Sequence, residues 1–206
     1  SLDEVMDWPS VRDPQNPGYA RMWGMIRATF EGRGVIEGHG SGLTDPHDIS
    51  AFAAAGLSSD HEVWAADEAW DRLMRGLFIE LRPFSYDALI PGLLERGLKD
   101  WSNVAFTTDD RSASDTLRDG ATDHNVRHAI RHGLSPEIAI QCVTINPARH
   151  MRIEHWVGSI APGRLADFLI VSDLPALTID MVFARGVKAA AGGKLLIDIP
   201  PYDYPD

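Results

Sequence analysis

Short apolar runs alternate with longer stretches of helical periodicity from the N-terminus to about residue 150, the sequence form of repeated βα units around a parallel sheet. The runs at residues 2–6, 35–39, 57–61, 77–81 and 104–108 are the expected strands. Between the first two, residues 19–30 place Met22, Met25, Ile26 and Phe30 near one face, which predicts a helix ending at the glycines around residue 33. Residues 48–56 are rich in Ala and close on Gly56, a helix with its stop signal. Further helices are expected over residues 66–75, 86–96, 123–132 and 136–149.

From Trp156 onward the pattern changes. Apolar runs around residues 168–171 and 181–187 follow one another without helices between them, and Gly192-Gly193 supplies a turn. A small β unit after residue 155 is the expectation. The chain is thus read as a helix-and-strand part, residues 1–155, and a β part, residues 156–206. The Pro-rich stretch at residues 199–205 predicts an extended surface segment.

Composition narrows the function classes. The chain has 206 residues, 44% hydrophobic and 24% charged, ordinary for a protein that buries a core. Its 30 acidic residues against 19 Lys plus Arg give a net charge of −11, which repels phosphate backbones and anionic membranes and suits a small neutral ligand. The single cysteine, Cys142, forms no internal disulfide and lies in an apolar helical context that predicts a packed thiol. No run approaches the roughly 18 apolar residues of a membrane span. The first residues lack the features of a signal peptide, so a cytoplasmic location is expected. Strand-like sequence immediately after Ser1 suggests a chain that begins partway through a fold.

In parallel α/β barrels the reactive groups sit at the C-terminal ends of the strands, where the loops converge on one face. That rule selects Glu4, His39, His61 and Asp109, each at the end of a different expected strand. Imidazole and carboxylate groups from separate strands suit zinc, iron or manganese and leave a position open for water. Taken singly, a strand-end histidine is more often a structural hydrogen-bonding group than a ligand, and Asp109-Asp110-Arg111 could equally be a turn with a local ion pair. Spacing alone leaves both readings open.

The segments Gly38-His39-Gly40-Ser41-Gly42-Leu43, Ser58-Ser59-Asp60-His61-Glu62 and Thr107-Thr108-Asp109-Asp110-Arg111 resemble, in this order, consecutive motifs of the adenine deaminases within the amidohydrolase superfamily. Leu2-Asp3-Glu4-Val5-Met6 is similar to that family's strand-four motif. Asn146-Pro147-Ala148-Arg149 resembles its helix after the last barrel strand, and residues 158–167 its return into a small β domain. The resemblance implies an α/β fold: the C-terminal part of a (β/α)8 TIM-type barrel, strands four to eight, followed by a small β-sandwich-like domain.

It also implies a binuclear divalent metal centre, with manganese or iron favoured and zinc possible. Glu4 would bridge the ions, His39 and His61 would bind one of them, and Asp109 would bind the other. The implied activity is hydrolytic deamination of adenine to hypoxanthine and ammonia by a metal-activated hydroxide. Asp109 would be the general base and then acid, Glu62 the donor to ring N1, and Asp110 and Arg111 substrate-binding groups. A planar base could be covered by Trp8, Phe84 or Trp101, although aromatics near strand ends are more often packing residues.

The family's His-x-His pair occurs nowhere in these residues. The expected partners are therefore a purine substrate, the absent N-terminal portion of the same protein and, by the same likeness, further copies of the chain. The alternatives are another cyclic amidohydrolase acting on a lactam or nucleobase-like substrate, and a non-catalytic barrel subunit.

Overall fold

The computed structural model describes residues 1–198. Strand β1 (Leu2–Val5) pairs in parallel with β2 (Ile36–Gly38), Leu2 opposite Ile36 and Val5 opposite Gly38. Strands β3 (Ser59–Asp60), β4 (Phe78–Leu81) and β5 (Val104–Phe106) form a second parallel sheet in that order. The two sheets meet where the Ser58 N–H donates to the Ile36 carbonyl at 2.8 Å and the Gly38 N–H donates to the Ser59 hydroxyl at 3.3 Å. All five strands therefore succeed one another in chain order, and their C-terminal ends face the same way.

Each crossover carries a helix, as parallel pairing requires. These are α1 (Trp8–Arg12) and α2 (Tyr19–Glu31), then α3 (Pro46–Ala54), α4 (Ala66–Leu73) and α5 (Tyr86–Glu95). The strands are buried on both faces: Ile36, Ile79, Leu81 and Val104 pack with Ile26, Phe52, Leu89 and Ile90 from the helices in one continuous core.

Where the structure departs from the periodicity, local chemistry explains it. Helix α1 has only five residues and exists because the Asp7 carboxylate accepts the Ser10 N–H while Pro9 starts the turn. After β5 come α6 (Ala113–Asp119) and α7 (Thr122–Arg131). Helix α6 buries none of its residues, so it carries no apolar stripe to detect.

The helix expected over residues 136–149 is two, α8 (Pro136–Gln141) and α9 (Ile145–His150). The helix breaks after Gln141, where the Val143 and Thr144 N–H groups turn to the Ile140 and Gln141 carbonyls, and Pro147 has no N–H to offer the Val143 carbonyl. The Cys142 carbonyl, which a continuous helix would give to the Asn146 N–H, accepts the Phe106 N–H at 3.0 Å. The buried Asn146 side chain then donates to the carbonyls of Trp101 at 2.7 Å and Val104 at 3.0 Å, fixing α9 against β5. Cys142 is a packed thiol as expected, pushed up to about 12 by burial.

The β unit consists of β6 (Phe168–Asp173), β7 (Thr178–Ala184), β8 (Val187–Ala191) and β9 (Lys194–Leu195), paired antiparallel in that order. Of the small β-sandwich-like domain expected, the described residues build one sheet. A sandwich buries the inner faces of two sheets, whereas here Leu169, Ile170 and Val187 remain 44–58% exposed. The Pro-rich segment expected to run extended lies outside the described residues. No helix among the described residues is long and apolar enough to cross a membrane.

Gly38 lies where the two parallel sheets meet. A Cβ there would run into the Ser59 carbonyl and the Phe52 ring. Gly38→Ala is expected to cost about 1–3 kcal/mol, the range for overpacking a filled core. Chemical denaturation of the variant checks this; an unchanged midpoint would contradict it.

Candidate active site

Strand β1 presents Glu4, the residue after β2 is His39, and the residue after β3 is His61. Because the strands run side by side, these three side chains converge. His39 Nδ1 lies 3.2 Å from His61 Nε2, and His61 Nε2 lies 3.0 Å from Glu4 Oε1. His39 Nδ1 is in close contact with the same Glu4 oxygen. One oxygen and two nitrogens within 4.8 Å of one another form a set that a divalent ion could join. Three of the four strand-end residues named from the sequence are brought to one point.

What holds the two histidine loops together is a buried ion pair. The Asp60 carboxylate is wholly enclosed, and Arg72 of α4 donates to it through Nε at 2.5 Å with its side chain only 1% exposed. The other Asp60 oxygen accepts the N–H of Gly40 at 2.8 Å and of Glu62 at 2.9 Å. Arg72 Nη2 donates to the carbonyls of Gly40 at 3.2 Å and Leu43 at 2.9 Å. The residues following His39 and His61 are thus locked to one charge pair. Gly40 is required here, since a Cβ would collide with the Asp60 carboxylate.

Asp109 lies in the turn after β5 with φ 40°, a left-handed conformation that Asp tolerates better than most side chains. It lines the same cleft of about 300 Å³ as Glu4, His61, Glu37, Glu80 and Asp3. Its carboxylate accepts from Arg82 Nη1 at 2.9 Å, and the same nitrogen stands 2.5 Å from Glu62 Oε1. Glu62 is buried in this pairing. The cap on the following helix is formed instead by Glu68, which accepts the Trp64 N–H at 2.9 Å.

Asp110 is exposed at the rim, 3.9 Å from Arg82. Arg111 turns away to the Gly120 and Asp115 carbonyls and the Asp119 carboxylate. Of the aromatic residues, Phe84 stacks with Trp64 at 5.4 Å, and the Arg82 guanidinium lies 4.7–4.8 Å from both rings. Trp8 packs edge-on against Phe52, and Trp101 is buried.

Three charged groups beside the site escaped the sequence reading: Glu37, Glu80 and Arg82. Strand alternation could have found them, because Glu37 shares a face with His39, and Glu80 shares one with Arg82, between fully buried neighbours. Burial raises the Glu80 carboxyl to about 7, helped by the charges of Glu37, Asp60 and Asp109 and opposed by His150. Burial also pushes Glu37 up, but hydrogen bonds from His150, 3.0 Å away, and Ser59 outweigh it and hold that carboxyl below its ordinary value. The cleft therefore concentrates negative charge beside the histidines, an environment that favours a cation.

The model of the amidohydrolase family matches residues 31–189. The chain is 62% identical over 205 residues to "Adenine deaminase 2" of Jannaschia sp. (strain CCS1), covering all of this chain and 33% of that protein. It is 60% identical over the same length to "Adenine deaminase 2" of Bradyrhizobium diazoefficiens, and 38% identical over 210 residues to "Adenine deaminase" of Rubrobacter xylanophilus. The chain spans about a third of the length of these relatives. Among solved structures, the β-aspartyl dipeptidase of Fervidobacterium islandicum AW-1 aligns with a TM-score of 0.67 at 20% identity, over 93% of this chain and 57% of that one, a likeness of fold.

Arg72→Met would leave the Asp60 charge buried without its partner. The expected cost is about 3–5 kcal/mol of stability, with metal affinity about 10–100-fold weaker through the displaced histidine loops. Denaturation and metal titration check both; unchanged metal affinity would show that the pair does not position the ligands.

Proposed function

The chain belongs to the amidohydrolase family, and on that premise we propose that it is the C-terminal part of a metal-dependent enzyme that deaminates adenine to hypoxanthine and ammonia. The observation that carries this reading is the convergence of the Glu4, His39 and His61 donor atoms at an acidic cleft that Glu4 and His61 line. The relatives named adenine deaminase, 60–62% identical across the whole chain, support the choice of substrate.

In this reading residues 1–155 are strands four to eight of a (β/α)8 barrel, and residues 156–206 belong to a small β domain. The first-strand histidines come from polypeptide outside these 206 residues. The centre is binuclear, and nitrogen and oxygen ligands without thiolate suit manganese or iron, with zinc also accommodated. A homo-oligomeric state rests on family likeness.

A divalent metal, when bound, supplies a water whose pKa falls from 15.7 toward about 7. Glu4, His39 and His61 hold the metal. Asp109 accepts the proton of the attacking water and returns it to the leaving amine, and it also serves the second metal position. Glu62, one residue after His61, delivers a proton to ring N1 and regains one from the C6 hydroxyl as the product carbonyl forms. Both carboxylates meet the single Arg82 Nη1, so the proton-transfer groups keep a fixed separation. The stacked Trp64 and Phe84 pair beside Arg82 forms an aromatic wall near a planar base. Asp110 at the rim is free to meet substrate, and we assign Arg111 to the shape of the loop.

The test is ammonia release by the full-length protein across a panel of purines and cyclic amides. Turnover of adenine is expected, falling at least 100-fold in Asp109→Asn. Turnover of a cyclic amide with none of adenine would overturn the substrate, and a metal-replete protein inactive on the whole panel would overturn the enzyme reading.

A further inference from the structure

Away from the cleft, α5 and α7 bring together a second set of metal-binding side chains. Asp87 stands in the first turn of α5, while His128 lies on α7 and His132 caps it. The two histidines are four residues apart and so share a helical face. Both aim Nε2 at the same carboxylate oxygen: Asp87 Oδ1 is 3.2 Å from His128 Nε2 and 3.1 Å from His132 Nε2. The three donor atoms all lie within 4.8 Å of one another. An ion that binds its ligands tetrahedrally at about 2.0–2.2 Å separates them by roughly 3.3 Å, so little rearrangement is needed to admit one.

The histidine rings are already set by packing. His128 lies against Tyr86 with ring centroids 5.3 Å apart and against His132 at 4.8 Å. Both imidazoles are partly buried, whereas the Asp87 side chain is 78% exposed, which opens the group to solvent and leaves room for water as a further ligand. No step assigned to the cleft uses any of these residues.

We propose that Asp87, His128 and His132 form an exchangeable site for a divalent transition-metal ion of the zinc class, separate from the cleft, that clips α5 to α7. Two imidazoles and a carboxylate favour such an ion over magnesium or calcium, which prefer all-oxygen ligation. The ligands come from different helices, so the ion binds the folded chain more tightly than the unfolded one and stabilises it.

The test uses the full-length protein with its tightly held metal already in place. Zinc is titrated against a chromophoric chelator, and total metal is counted after equilibrium dialysis. The wild type should take up one more zinc equivalent per chain than Asp87→Asn or His132→Gln. Zinc should raise its Tm by several degrees while leaving the Tm of both variants unchanged. Asp87 is mostly exposed, so Asp87→Asn reports on binding even if His132→Gln loosens the helix end. Equal zinc uptake by the wild type and Asp87→Asn would overturn the proposal.

Discussion

The site depends on a charge pair that does no chemistry. Asp60 and Arg72 are both fully enclosed, and an isolated charge at either position would be unsustainable in the core. Together they satisfy two backbone N–H groups and two carbonyls in the loops that follow β2 and β3. Buried pairs of this kind contribute little net stability against a well-packed apolar alternative. Their contribution here is geometric: they set the separation of His39 and His61, and through Glu62 they reach the Arg82 network.

That geometry produces an electrostatic problem that a metal would relieve. Asp3, Glu4, Glu37, Glu80 and Asp109 line one cleft, while Arg82 is already shared between Glu62 and Asp109. Burial raises the Glu80 carboxyl, and the charges of Glu37, Asp60 and Asp109 add to the shift. A divalent cation bound by Glu4 and the two histidines would favour the ionised form of every carboxylate around it. Neither the surplus of acidic residues nor the paired histidines would be expected of a barrel that only packs.

Much of this was legible in the sequence, for a physical reason: parallel strands buried on both faces read as apolar runs, and groups at their ends stand out against them. Glu4, His39 and His61 were found that way, and their donor atoms converge, while Asp109 lines the cleft beside them. Glu37 and Glu80 were passed over because they lie inside apolar runs, where only period-two alternation marks them as facing the cleft. Arg82 lies just beyond such a run and shares their face. The division between α8 and α9 was missed because helical periodicity continues through Pro147, and only the capture of the Cys142 carbonyl by β5 shows the break. Whether the β unit is a sandwich was not legible for a different cause: strand signals count strands, and they do not say whether a second sheet faces the first.

The central claim is that Glu4, His39 and His61 ligate one metal ion. Anomalous X-ray diffraction at the metal absorption edge, from crystals of the full-length metal-replete protein, tests it most directly. The account predicts a peak about 2.0–2.2 Å from a Glu4 carboxylate oxygen, His39 Nδ1 and His61 Nε2. An active protein whose metal peaks lie beyond bonding distance of these three atoms would contradict it.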